Sequence, residues 1–190
     1  MSRAAFLDRD GVLNAAVLSD GVPHPPRSAD QLMILPGVPE ACRRLREAGL
    51  LLVVVTNQPD VARGTQSLQR VGEINEALRQ DLDLDAVYVC PHDDADHCPC
   101  RKPAPGLLTT ASAELGIDLR RSAMIGDRWR DIEAGRRAGC TTVHVDRSYA
   151  EQRPVGADLT VRSLLDAVPW LVELTCPQFD THGLDDCGLG

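Results

Sequence analysis

Short apolar runs alternate with longer amphipathic segments along most of the chain. Runs with the length and composition of buried strands stand at residues 4–7, 50–55, 86–90, 122–125, 141–145 and 159–161. Helix periodicity or helix start and stop signals stand at residues 38–48, 68–81, 105–115, 129–138 and 163–174, the last with an interruption at Pro169. Strands that alternate with helices at this spacing predict right-handed βαβ units. We therefore expect an α/β fold with a parallel sheet covered by helices on both faces.

Two segments fall outside this pattern. Residues 15–32 are polar and proline-rich, and we expect either a mobile, lid-like loop over the end of the first strand or a plain surface connection. Residues 176–190 are polar, glycine-containing and aperiodic, which predicts a disordered tail. No internal repeat or linker divides the remainder, so residues 1–175 are predicted to form one domain.

The charge and cysteine content limit the partners and the compartment. The formal net charge is -8 over 190 residues, and nucleic-acid backbones are bound through basic surfaces, so no nucleic-acid partner is expected. A small phosphorylated metabolite needs only a few local cations and is compatible with this charge. No run approaches the about 18 apolar residues of a membrane span, and no signal peptide is recognisable, so we expect no membrane partner. Seven cysteines without an export signal indicate a reducing cytoplasm, where we expect the chain to be a monomer.

Polar side chains stand where three of the predicted strands end. Asp8 and Asp10 follow the first strand two residues apart, so on an extended backbone both point the same way. Thr56 and Asn57 follow the second strand, and Asp127 follows the fourth. An acidic pair before a glycine also suits an ordinary turn. Ligands of open α/β sheets, however, bind at the carboxyl ends of the strands, so polar residues at several such ends favour a functional site.

These residues suit metal-assisted phosphoryl transfer. Three carboxylates at one edge of the sheet favour a hard divalent cation such as Mg²⁺. Beside such a cation Asp8 can attack phosphorus as a nucleophile, while Asp10 protonates the leaving oxygen and then activates water. Lys102 is the only lysine among 20 Lys and Arg residues, which marks a place for a compact point charge. With Thr56 it is expected to hold the oxygens of the transferring phosphoryl group.

A cysteine-rich segment predicts a structural zinc site. Three thiols and one imidazole fall within eleven positions: Cys90, His92, Cys98 and Cys100. This set matches a closed tetrahedral zinc site, with His97 as an alternative ligand. The segment directly precedes residues 101–103, so its expected task is to order the part of the chain that presents two cations. Cys42 and Cys140 are predicted to pack in the core.

The motifs resemble those of a known enzyme family. In order, Asp8-x-Asp10-Gly11, Thr56 after an apolar strand, Lys102 and Gly126-Asp127-x-x-x-Asp131 resemble the four motifs of the haloacid dehalogenase-like phosphohydrolases. The resemblance implies a three-layer Rossmann-like parallel sheet, here with a small zinc-binding loop and no large cap domain. It implies an aspartyl-phosphate on Asp8, acid/base catalysis by Asp10, and Mg²⁺ ligands on Asp8, the backbone carbonyl of Asp10 and Asp127. Asp131 would support these ligands from outside, or be a solvated acid on a surface turn.

The cysteine segment narrows the resemblance to one branch. With Thr-Asn-Gln and Ala-Arg-Gly it looks like the D-glycero-D-manno-heptose 1,7-bisphosphate phosphatases, whose sister branch, the histidinol-phosphate phosphatases, shares the metal loop. The resemblance implies a substrate pocket lined by the residues at the second strand exit, after the metal loop and after the fourth strand: Thr56, Asn57, Gln58, Arg101, Lys102 and Arg128. Arg63 would add a distal contact or stay solvated. The expected function is removal of the C7 phosphate of the heptose bisphosphate, a small phosphorylated sugar.

Some positions depart from the pattern of this branch. Pro59 and Asp60 stand where the heptose enzymes usually carry a small residue and glycine, Arg128 stands where many have lysine, and the loop at residues 23–27 differs. These departures bear on the substrate and leave the phosphatase chemistry intact. The alternatives are therefore histidinol phosphate, another small sugar phosphate, a 3′-phosphorylated polynucleotide, which the acidic charge disfavours, and a zinc-stabilised binding module without catalysis.

Overall fold

The computed structural model describes residues 1–19 and 22–175, and the disordered tail predicted at residues 176–190 lies outside these ranges. Within them the chain forms eight strands: β1 (Arg3–Leu7), β2 (Val17–Ser19), β3 (Val22–His24), β4 (Leu50–Asn57), β5 (Ala86–Cys90), β6 (Ala123–Gly126), β7 (Thr141–Val145) and β8 (Leu159–Val161). The five α-helices are α1 (Val38–Glu47), α2 (Leu68–Leu82), α3 (Gly106–Leu115), α4 (Trp129–Ala138) and α5 (Leu164–Thr175).

Six of the strands form one parallel sheet in the order β5-β4-β1-β6-β7-β8. The chain builds outward from β1 through β4 to β5, and then crosses to the other side of β1 to add β6, β7 and β8. The register pairs Leu7, the last residue of β1, with Val54 on one side and Ile125 on the other. The carboxyl ends of three strands therefore lie side by side where the strand order reverses, which is the place where open α/β sheets bind ligands.

Helices cover both faces of this sheet, because successive side chains of each buried strand point to opposite faces. Ala5 and Leu7 of β1 pack in a core with α1, α2 and α5, while Ala4 and Phe6 pack in a second core with α3 and α4. These three layers confirm the predicted α/β architecture. Among the described residues no separate cap domain is inserted, as the resemblance implied.

Local capping signals set several helix ends. Ser67 accepts a hydrogen bond from the backbone of Arg70 at the start of α2, and Gly116 and Gly139 adopt left-handed backbone conformations after α3 and α4. The interruption predicted at Pro169 is wrong, because α5 runs through it without a break. The inner face of α5 packs in the core, where Val168, the residue before Pro169, is buried.

The proline-rich segment after β1 is more ordered than the sequence predicted. Val17–Ser19 and Val22–His24 pair as an antiparallel ribbon, which alternation of apolar and polar residues does not reveal in strands this short. His24 and Pro25 line a cleft together with Asp8 and Asp10. The segment thus reaches the end of the first strand, where the sequence analysis located it.

None of the helices within the described residues combines the length and the apolar character that crossing a bilayer would require.

Candidate active site

Backbone contacts bring the polar residues of neighbouring strands together. Asp8 directly follows β1, and its N–H donates to the carbonyl of Ile125 in β6 at 2.9 Å. Asp127 directly follows β6. Thr56 is the penultimate residue of β4, since this strand continues two residues beyond the predicted end at residue 55 and includes Asn57. The sheet therefore presents Asp8, Thr56 and Asp127 along one edge.

Three buried carboxylates converge at this edge. One oxygen each of Asp8, Asp127 and Asp131 lies within 4.8 Å of the others. The Oδ1 atom of Asp127 is buried and has no hydrogen-bond partner among the described residues. Gly11 has a φ of +89° and no side chain, which leaves room for the Asp127 carboxylate. A Cβ at this position would collide with that carboxylate. A buried acceptor without a donor, beside two more carboxylates, fits a hard divalent cation such as Mg²⁺.

Lys102 is the cation at the centre of this cluster. Its side chain is 2% exposed, and its Nζ lies 2.7 Å from Asp8 Oδ1, 2.6 Å from Asp131 Oδ1 and 2.8 Å from the carbonyl oxygen of Val55. Asn57 fixes the backbone of Lys102 on both sides, accepting from its N–H at 3.1 Å and donating to its carbonyl at 3.0 Å. The single lysine of the chain is thus held by Asp8 directly after β1, by β4 and by α4.

Burial and like charge perturb the pKa values of these groups. Burial, together with the neighbouring carboxylates of Asp131 and Asp10, raises the pKa of Asp8 to about 6 against the opposing effect of Lys102. Burial, then Asp8 and Asp131, raise the pKa of Asp127 well above its ordinary value. Burial lowers the pKa of Lys102, but Asp131 and Asp8 raise it by more, so the ammonium stays charged. The cluster has an excess of negative charge that a divalent cation would balance.

Asp131 is part of the site. The interpretation as a solvated surface acid is wrong: the residue is 2% exposed, bonds Lys102, and accepts from the backbone N–H of Arg128 at 3.0 Å. Its position at the third residue of α4 puts its carboxylate back toward the sheet, as in a capping box. Gly126 leaves the necessary space, since a Cβ there would collide with the Asp131 side chain.

The carboxylate of Asp10 lies in a separate ring of donors. Its Oδ2 accepts from Arg9 Nη2 and from Gln58 Nε2, both at 2.9 Å, and its Oδ1 accepts from Asn14 Nδ2 at 2.9 Å. Arg9 is fully buried and also donates to Asn75 in α2 at 2.8 Å. These donors fix the orientation of Asp10 without joining it to the carboxylate cluster. Arg9 and Asn14 carry no motif that would mark them in the sequence.

The cysteine segment forms a compact set of ligands. One ligand atom each from Cys90, His92, Cys98 and Cys100 lies within 4.8 Å of the others. The Nδ1 of His92 is 3.7 Å from the Sγ of Cys90 and 4.0 Å from the Sγ of Cys100. The grouping of three thiols and one imidazole is compatible with a tetrahedral zinc site. His97, the alternative ligand, is exposed and stands outside this set.

The two remaining core cysteines behave as predicted. Cys42 and Cys140 are buried, and burial raises the pKa of each thiol to about 12. Both pack with apolar residues, Cys42 in the core beneath α1 and Cys140 beside α4.

A cleft of about 330 Å³ opens above the carboxylates. Its lining joins the catalytic candidates to a group of arginines: Asp8, Asp10, Thr56, Asn57, Lys102, Asp127, Arg63, Arg101, Arg128 and Arg130. Gln58, predicted to line the pocket, is instead buried beneath it, where its amide donates to Thr56 and Asp10. Its side chain therefore positions two site residues. Arg128 lies in the cleft wall, where its guanidinium donates hydrogen bonds to both carboxylate oxygens of Glu151.

Comparisons with known proteins agree with this geometry. A family model described as haloacid dehalogenase-like hydrolase matches residues 26–139. A D-glycero-beta-D-manno-heptose-1,7-bisphosphate 7-phosphatase of Haemophilus ducreyi is 36% identical over 184 residues, covering 89% of this chain and 98% of the relative. The crystal structure of D,D-heptose 1,7-bisphosphate phosphatase from B. bronchiseptica, complexed with magnesium and phosphate, is 30% identical, with a TM-score of 0.78 over 90% of this chain and 98% of that one. A putative phosphatase of Mesorhizobium loti is 31% identical, with a TM-score of 0.76 over 93% of this chain and 89% of that one.

Proposed function

Because this chain belongs to the haloacid dehalogenase-like hydrolases, we propose that its carboxylate site hydrolyses the C7 phosphate of D-glycero-D-manno-heptose 1,7-bisphosphate. The observation that carries the proposal is the buried cluster of Asp8, Asp127 and Asp131 around Lys102, with the unpartnered Oδ1 of Asp127 beside it. Burying this concentration of charge lowers the free energy of unfolding. A binding module would gain nothing from it, whereas a catalytic site uses such perturbed groups.

Asp8 and Asp10 would divide the reaction between them. The Asp8 carboxylate attacks phosphorus, so that a bond forms between its oxygen and phosphorus while the bond from phosphorus to the sugar oxygen breaks. Asp10 gives its proton to that leaving oxygen, then takes one from the water that attacks phosphorus, releases phosphate and restores Asp8. The donors on Asp10 hold its carboxylate in place for both transfers.

Lys102 and Thr56 would bind the phosphoryl oxygens on which negative charge accumulates. Asp8, Asp127 and the backbone carbonyl of Asp10 would hold Mg²⁺, which supplies charge neutralisation at the phosphoryl group when bound. Asp131 keeps Lys102 charged and in place through the ion pair of 2.6 Å. These roles explain why one lysine is buried among three acids.

The four zinc ligands of the cysteine segment would serve substrate recognition, because they order the residues that follow them. We assign Zn²⁺ to four ligands, Cys90, His92, Cys98 and Cys100. The last of them lies two residues before Lys102. Arg101 and Arg128, both in the cleft lining, would contact the distal part of the substrate. Guanidinium N–H donors suit a second phosphate rather than the ammonium group of histidinol phosphate. We also propose a cytoplasmic, monomeric protein, since free thiols at Cys42 and Cys140 suit a reducing compartment.

Phosphate release with Mg²⁺ present tests this function on a panel of heptose 1,7-bisphosphate, other sugar phosphates, histidinol phosphate and a 3′-phosphorylated oligonucleotide. We expect the heptose bisphosphate to have the highest kcat/KM. Asp8→Asn should lower kcat by about a thousandfold or more, because no other group can accept the phosphoryl group. Asp81→Asn, which changes an exposed acid on α2 in the same way, is the matched control.

The outcomes separate chemistry from substrate. Full activity in Asp8→Asn would show that the nucleophile is wrong. A different winner in the panel would change the substrate and leave the carboxylate chemistry in place. Turnover of no phosphate ester by the native chain would reject the function.

A further inference from the structure

Four arginines line the cleft together with the carboxylates. Arg63 and Arg101 come from the loops that follow β4 and β5, and Arg128 and Arg130 come from the start of α4. The sequence motifs draw attention to the first three. Arg130, the second residue of α4, belongs to no motif, and its role has to be argued from its contacts.

The four arginines differ in how their charge is balanced. Arg63 has the two oxygens of Asp93 at 2.7 and 2.9 Å, and Arg128 has both oxygens of Glu151. Arg101 and Arg130 instead share the carboxylate of Asp94, which lies between His92 and Cys98, and Arg101 Nη2 also lies 3.6 Å from Asp93 Oδ1.

The shared carboxylate brings two guanidinium groups together. Asp94 Oδ1 accepts from Arg101 Nε at 2.8 Å and from Arg130 Nη1 at 2.7 Å, while its Oδ2 accepts from Arg130 Nη2 at 3.1 Å. One carboxylate thus holds two guanidinium groups close together, within a network in which three arginines face three acids, Asp60, Asp93 and Asp94.

Donors remain on both guanidinium groups. The side chain of Arg101 is 10% exposed and that of Arg130 28% exposed. Each arginine has five N–H groups. Arg101 uses Nε on Asp94 and Nη1 on the carbonyl of His92, and Arg130 uses its two terminal nitrogens on Asp94. The guanidinium carbon of Arg130 also lies 5.1 Å from the centre of the Trp129 ring, which holds it on a second side.

We propose that Arg130 is a specificity-determining residue, which with Arg101 binds the phosphate that is not hydrolysed and so selects a bisphosphate over a monophosphate. Two guanidinium groups that line the cleft, are held by one carboxylate and keep unused N–H donors match a phosphate dianion. Asp94 is then a positioning residue that sets the spacing of the two guanidinium groups. This role rests on the proposed phosphatase function, since it assigns the second phosphate of the same substrate.

Steady-state kinetics on a matched pair of substrates tests the role. Heptose 1,7-bisphosphate and heptose 7-phosphate carry the same reacting group and differ only in the second phosphate. Arg130→Gln should raise the KM of the bisphosphate about tenfold to a hundredfold, the effect of losing charged hydrogen bonds. The kcat on the bisphosphate and the kcat/KM on the monophosphate should change less than about twofold. Arg130→Lys should recover part of the lost affinity because it restores charge without the fork.

The control is Arg137→Gln, which removes an exposed arginine of the same helix that pairs with Glu133. It should leave both substrates unchanged. Equal effects of Arg130→Gln on the two substrates, or no effect on either, would overturn the proposal.

A binding measurement separates this proposal from the reaction itself. In an Asp8→Asn background, calorimetric titration should show that Arg130→Gln weakens binding of the bisphosphate and not of the monophosphate. If the native chain hydrolyses neither sugar phosphate, the proposed function fails. Selective loss of bisphosphate affinity in the titration would still support the phosphate contact, and unchanged affinity would overturn it.

Discussion

Replacing Lys102 with methionine tests the electrostatic logic of the whole site. Methionine has a similar length and packs well in apolar gaps, so the substitution removes the charge and keeps most of the volume. The change leaves Asp8 and Asp131 without their common partner at 2.7 and 2.6 Å, and takes a donor from the carbonyl of Val55. The variant should therefore fold less stably when no divalent cation is present.

The expected loss follows from the burial of these groups. Breaking a buried ion pair by removing one partner costs about 3 to 5 kcal/mol, and a buried carbonyl that loses a donor adds about 1 kcal/mol. Domains of ordinary stability unfold with about 5 to 15 kcal/mol, so Lys102→Met should have little stability left. With a denaturant slope of about 2 kcal/mol per molar urea, the midpoint should fall by about 2 to 3 M.

The loss should depend on pH and on Mg²⁺. In metal-free protein the pKa of Asp8 is raised from its ordinary value of 3.8 to about 6. A raised carboxyl pKa gives a stability that is complete below about pH 4 and is lost as the pH rises through about 6. Without Lys102 this loss extends to higher pH, so the gap between the native chain and the variant should be wider at pH 8 than at pH 4.5. Saturating Mg²⁺ should narrow the gap, because the cation replaces part of the missing positive charge.

Urea unfolding followed by circular dichroism, with EDTA or with Mg²⁺, measures these differences. The double variant Lys102→Met/Asp131→Asn is the internal control. Removing one acid should return about 1 to 2 kcal/mol of the loss caused by Lys102→Met. A Lys102→Met protein as stable as the native chain in EDTA at pH 8 would refute the reasoning, and so would a double variant less stable than the single one.

Two further predictions concern the metal loop and the first turn of α4. Cys98→Ser should release zinc, seen by metal analysis, and raise KM more than it lowers kcat, because the loop holds Arg101 while Asn57 holds Lys102; an unchanged KM in zinc-free protein would contradict this. Gly126→Ala should lower the free energy of unfolding by about 1 to 3 kcal/mol, because its Cβ would collide with Asp131; an unfolding curve that matches the native chain would contradict this.

Periodicity and turn chemistry were sufficient for the frame of the molecule. The apolar run before Asp8 could only be a covered strand, and Ser67, Gly116 and Gly139 marked helix ends through local backbone requirements. The carboxyl ends of parallel strands share an edge, so acids that follow two strands had to meet. These inferences need only near neighbours in the sequence or the symmetry of a parallel sheet.

Contacts between distant segments were harder to predict. The burial of Asp131 depends on Lys102, which lies 29 positions earlier and reaches it across the sheet. The ribbon at Val17–Ser19 and Val22–His24 is too short to show alternation. Gln58 follows Thr56 and Asn57 in an apparent pocket motif, yet its amide turns inward, because Thr56 and Asp10 offer it buried partners. In each case tertiary packing decided what a local pattern left open.

The two hydrogen bonds between Asn57 and the backbone of Lys102 make the position of this lysine independent of the cysteine-rich loop that directly precedes it. The lysine is fixed by the end of β4, so the preceding loop does not have to hold it. Mutation, insertion or replacement of residues in that loop can then alter which molecules are accepted while the reaction centre stays as it is. A scaffold of this kind can diversify its substrates by exchanging one surface loop, and it offers a defined junction for building enzymes with new specificities.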